Sequence, residues 1–135
     1  MSAAAALCIA LAAAGPGEAA GGPPLARLPG DAFSLAWTHS VERIEWREDW
    51  RISGGQLRLV EARVRGSGAG MEVPDGARLV EGAWVYRPQL PPLDRLTLAN
   101  SGFTADYRIC SWGTCRPLAE LAGPPGRPLA LYACP

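Results

Sequence analysis

Two polar side chains, His39 and Glu48, occupy positions where an alternating strand pattern calls for an apolar residue. Polar residues that break an otherwise consistent pattern are where functional or strained sites concentrate. Glu48 lies between Trp46 and Trp50 in sequence, and desolvation by two indoles would raise its carboxyl pKa and suit it to acid or base work. His39 is the only histidine of the chain. With Glu42, Trp46 and Trp50 these two residues make up the candidate binding patch, expected on the Trp37/Trp46/Trp50 side of a sheet. The bland alternative stands beside it: Glu48 pairs with an Arg of a neighbouring strand, and His39 caps a loop. No catalytic residue is assigned, because strand positions alone do not assemble a Ser-His-acid triad.

Cys110 and Cys115 flank Ser111-Trp112-Gly113-Thr114 in a hairpin-like setting. A four-residue loop sets them opposite each other, within disulfide range. Two Cys and one distant His make a poor tetrahedral zinc set, so no metal and no cofactor is expected. Cys134 is left over, able to displace either partner. Gly66-Ser67-Gly68-Ala69-Gly70 lacks the Lys-Ser/Thr and the helix start of a phosphate loop, and leaves room only for a backbone anion nest.

The elements that must position these residues are strands. Phe33, Leu35, Trp37, His39 and Val41 share one face; the phase then shifts at Glu42-Arg43, and Ile44, Trp46, Glu48, Trp50 and Ile52 become the aligned set. Gly54-Gly55 marks a hairpin. A two-residue loop there sets Glu48 against Glu61. A three-residue loop sets Val60, Ala62 and Val64 against Trp50, Glu48 and Trp46, and is the preferred register. Further strands are predicted over 83–87, 95–99, 103–110, 115–118 and 129–133, with a helical turn only at 118–122. Short strands between Gly/Pro turns predict an all-β fold, a small antiparallel sandwich or partly open barrel.

Residues 1–19 read as a signal-peptide-like segment, with an apolar run over Ala3–Ala14 and small-residue cleavage sites before Gly21. No basic residue precedes the run, so either the free amino terminus supplies the charge or the start codon lies upstream. Cys8 follows Leu7 and so is a poor lipid-attachment site. Residues 20–29 read as a Gly/Pro linker, and 30–135 as a single β domain. The run is too short to span a bilayer, so the membrane would be reached only through a partner. Thirteen basic and thirteen acidic residues leave no net charge, which argues against nucleic acid as a partner. Every basic residue is Arg, which reads as codon bias rather than anion recognition.

Four motifs occur in order: Thr38-His39-Ser40-Val41-Glu42, then Trp46, Glu48 and Trp50 at alternate positions, then Gly66-Ser67-Gly68-Ala69-Gly70-Met71, and Ser101-Gly102-Phe103-Thr104. In this order and spacing the chain resembles the bacterial domain-of-unknown-function family 1850, from about Phe33 to the C-terminus. The resemblance implies a small exported protein, periplasmic or otherwise extracytoplasmic, encoded near tripartite ATP-independent periplasmic (TRAP) transporters. It implies no residue-level activity. The function expected is a non-enzymatic accessory or binding module, partnered by a TRAP component or a small organic solute. The alternatives are a small hydrolase or isomerase using Glu48 and His39, or a protein–protein scaffold with a Trp-rich face.

Overall fold

The computed structural model describes residues 5–12, 21–38, 44–65, 76–100 and 107–135. In chain order its elements are β1 (Ala6–Leu11), β2 (Gly21–Pro29), β3 (Ala32–Thr38), β4 (Glu45–Ser53), β5 (Gln56–Arg65), β6 (Arg78–Val80), β7 (Ala83–Tyr86), β8 (Leu96–Leu98), β9 (Arg108–Ser111), β10 (Thr114–Pro117), α1 (Leu118–Ala122) and β11 (Leu129–Cys134). The strands form two antiparallel sheets, ordered β2-β1-β11-β8 and β10-β9-β3-β4-β5-β7-β6. Leu7, Ile9, Leu98, Leu129 and Leu131 of the smaller sheet meet Phe33, Leu35, Trp50, Leu57, Leu59 and Ile109 of the larger one in a single core. Period-2 alternation buries one face of each strand, and two such faces can be hidden together only by stacking the sheets. The result is the all-β sandwich that the short alternating runs predict.

The beginning of the chain differs from expectation. The signal-like run contains β1, paired on one side with β11 and on the other with β2, and Ala6 to Ala10 are all essentially inaccessible. The segment read as a linker is largely β2, an edge strand in which Pro23 and Pro24 are tolerated because an edge needs fewer ladder donors. Ala6–Leu11 and Gly21–Pro29 thus stand as strands of the smaller sheet. The physical reason is an ambiguity of pattern: a short run of small apolar residues suits a signal core and a strand buried on both faces equally well.

The β4–β5 hairpin reconciles the two registers. Ser53 pairs with Gln56, so the loop is the two residues Gly54 and Gly55, both at positive φ as a tight hairpin turn requires. This corrects the preferred three-residue loop. Trp50 then faces Leu59, a bulge at Val60 follows, and beyond it Glu48 faces Ala62 and Trp46 faces Val64. One extra residue thus moves Glu61 off Glu48 and restores the apolar pairing.

Cys110 and Cys115 face each other across β9 and β10 and are bonded, as their spacing predicts. Cys134 is not the odd thiol: it is bridged to Cys8, diagonally across β1 and β11, over a sequence separation of 126 residues. No described residue is a free cysteine. No helix among the described residues is long and apolar enough to cross a membrane.

Candidate functional site

Strand register places Glu48 on the inner face of the larger sheet. Leu35 of β3 lies opposite it on one side and Ala62 of β5 on the other. Toward the core, Trp50 stacks on Phe33 with ring centroids 6.2 Å apart, and is 2% exposed. In the other direction Trp46 faces Trp37, their rings near-parallel at 6.1 Å. Tyr107, just ahead of β9, tilts against Trp37 at 5.7 Å. Its carbonyl accepts the N–H of Leu118 at 2.8 Å, which ties this approach to the start of α1. Across β5, Ala62 pairs with Tyr86 and Val64 with Trp84, so both β7 aromatics share this face. Trp37, Trp46, Tyr86 and Tyr107 are half-buried, as is Glu48. The half-buried carboxylate thus shares this face, the Glu48 recess, with four half-buried aromatic side chains.

Burial pushes the Glu48 carboxyl above the ordinary carboxylate range, and the nearby Trp50 indole N–H only partly offsets it. Trp50 Nε1 is itself fully buried without a partner in hydrogen-bond geometry among the described residues. Tyr86 and Tyr107 are raised by burial first, and then by the negative charge of Glu48. The field of one carboxylate thus reaches phenols from two different elements. Ion pairs among the described residues lie elsewhere: Arg47 with Asp49 at 3.2 Å and Arg108 with Glu45 at 3.4 Å. The Arg partner allowed for Glu48 in the bland alternative is not found among them.

Of the five patch residues, Trp46, Glu48 and Trp50 are brought together on β4, with Trp50 a wall of the core rather than an open surface. His39 and Glu42 lie outside the described residues, as do the phase break at Glu42-Arg43 and the 66–70 glycine stretch. The β3–β4 register does fold one alternating run back on the other, but the described residue opposite Glu48 is Leu35. Tyr86 and Tyr107 were not singled out from the sequence. Both lie within predicted strands, and only the strand order brings them beside β4.

The outer face has a different character. Ser34, nearly buried, donates to Asp49 Oδ1 at 2.5 Å and accepts from Arg47 Nη2 at 3.1 Å. These residues line a groove of about 550 Å³ that reaches the Cys110–Cys115 bridge and Trp112. Trp112 is 85% exposed, yet its indole N–H is fixed to the Pro29 carbonyl at 3.0 Å. Trp37, Trp46 and Trp84 are half-buried, and Trp50 is in the core.

A family model described as a domain of unknown function (DUF1850) matches residues 33–118, well over half of the chain. The match takes in every residue of the aromatic recess and leaves out β1, β2 and β11. No curated protein matches the chain, and no solved structure does.

Proposed function

This chain belongs to the DUF1850 family, and on that footing we propose that it is an extracytoplasmic, non-enzymatic binding module that acts with a TRAP-type transporter and uses the Glu48 recess to hold its ligand. The observation that carries this reading is the desolvated carboxylate among Trp37, Trp46, Tyr86 and Tyr107, with no compensating cation among the described residues. A buried charge without a partner is costly to folding, and such a cost is characteristic of sites kept for function. The compartment reading is supported by the two disulfides, which persist in oxidising surroundings. The transporter association is implied by the family resemblance. The test is affinity capture from the native envelope with wild-type and Glu48→Gln protein as bait. A transporter component held by the wild type and released by the variant is the expected result. Recovery of the protein only from the cytosol, or identical captures by both baits, contradicts it.

One observation favours a second reading. A carboxyl with a raised pKa is suited to proton transfer, as a small hydrolase or isomerase using Glu48 and His39 would require. Turnover abolished by Glu48→Gln, with a pH profile that follows this carboxyl, would select it over the binding module.

A further inference from the structure

We propose that the Glu48 recess selects an organic cation: an alkylammonium group carried on a small solute. The proposal rests on the reading of this recess as a binding site and adds the chemical class of its occupant. It follows from how the larger sheet separates charge by face. On β4, Arg47, Asp49 and Arg51 alternate away from Glu48, and their partners in register, Arg63, Glu61 and Arg58, share that outer face. Arg108 lies opposite Ala36 and bonds Glu45, again on the outer face. Arg78 pairs with Val85, which faces Arg63. The one Arg of these strands on the inner face, Arg116, pairs with Ile109 on the edge strand β10, with Ile109 and Leu35 standing between it and Glu48. The outer face is thus rich in guanidinium groups. The described surroundings of Glu48 hold only aromatic and aliphatic side chains.

The carboxylate and the aromatic faces of the recess favour positive charge. The carboxylate attracts a cation in a site where partial burial strengthens the attraction. The rings of Trp37, Trp46, Tyr86 and Tyr107 present electron-rich faces, Trp offering the strongest cation–π contact. Ala62, directly opposite Glu48, adds no bulk beside the carboxylate. An anion would meet the Glu48 charge with no Arg among the described residues of this face on β3, β4, β5 or β7. An alkylammonium fits better than a metal ion: the described walls supply one carboxylate and apolar rings, where a hard cation needs several oxygens.

The test uses three probes of similar shape and different charge: choline, its uncharged carbon isostere 3,3-dimethylbutan-1-ol, and the anion 3,3-dimethylbutanoate. Binding is read by indole NMR shifts of the intact protein. Choline should shift the Trp37 and Trp46 indole signals saturably, and at least about tenfold more tightly than the alcohol, with no saturation by the anion. Glu48→Gln should weaken choline by about tenfold or more while the circular dichroism spectrum is unchanged. Stronger binding of the anion, lost in Trp46→Ala, overturns the cation assignment and leaves the binding module standing. Choline binding unaffected by Glu48→Gln, or no saturable shift by choline up to about 10 mM, overturns it too. The module reading fails separately, if wild type and Glu48→Gln capture the same envelope partners.

Discussion

Ala62 of β5 lies directly opposite Glu48 of β4, and the bulge at Val60 is what puts it there. Without that extra residue Glu61 would continue the hairpin register against Glu48, setting two like charges side by side. With it, the smallest chiral side chain stands beside a desolvated carboxylate. Ala62→Val should therefore diminish binding of an ammonium probe several-fold without touching the charge. Overpacking at this 4%-exposed position should lower stability by about 1–3 kcal/mol. Urea unfolding combined with a probe titration separates the two effects.

The pH dependence of stability has a definite sign at Glu48. Burial raises its carboxyl above the ordinary value of 4.5, so between those two pKa values the folded protein holds the proton more tightly than the unfolded chain. The group therefore lowers stability as pH rises through that window, and its full penalty is present above the raised pKa. Glu48→Gln should be more stable than the wild type at neutral pH, with the gap closing as pH falls through that window and gone below 4.5. Urea midpoints of both proteins across that range decide it. A variant less stable at neutral pH would show that the carboxylate is held by a cation.

The two disulfides should differ in weight. Cys8–Cys134 closes nearly the whole chain and Cys110–Cys115 only a short hairpin. Loop-closure entropy gives about 5 kcal/mol for the first and about 2 kcal/mol for the second. Paired Ser substitutions measured by denaturant unfolding test the order. Peptide mapping of the protein from its native host should find Cys8 bonded to Cys134, with β1 therefore retained. A mature chain that starts between Gly15 and Gly21 would lack half of that bridge.

At the far end of the sandwich, Gly30 and Trp112 depend on one another. Gly30 has φ near +125°, and a Cβ placed there would stand 3.2 Å from Trp112 Nε1. Gly30→Ala should lower stability by about 1–2 kcal/mol through backbone strain and displacement of the indole from the Pro29 carbonyl. Trp112→Phe gives up only an exposed hydrogen bond and should change stability by about 0.5 kcal/mol or less. Thermal unfolding of the two variants distinguishes a strained turn from an ordinary loop.

How much was legible depended on whether the signal was local. The alternation through Phe33–Trp37 and Trp46–Ile52 and the Gly54-Gly55 turn are local, and β3, β4 and β5 follow from them. The misplaced Glu48 is also local, and it marks the centre of the recess. The Val60 bulge is not, because an extra residue becomes visible only when the partner strand fixes both ends of the ladder. Tyr86 and Tyr107 come from distant segments that only the β9-β3-β4-β5-β7 order brings to one face. Ala6–Leu11 had the composition of a signal core. The clue that it belonged to the domain was the even count of four cysteines, which left Cys134 in need of a partner and offered Cys8.

Native mass spectrometry of the protein, purified gently from its own envelope fraction, bears most directly on the Glu48 recess as a ligand site. Wild-type protein should carry an additional small-molecule mass that collisional activation releases as a cation, and Glu48→Gln should fly without it. Two identical spectra, both at the bare polypeptide mass, would contradict a ligand held by Glu48 and leave the carboxylate as a structural oddity of the sheet.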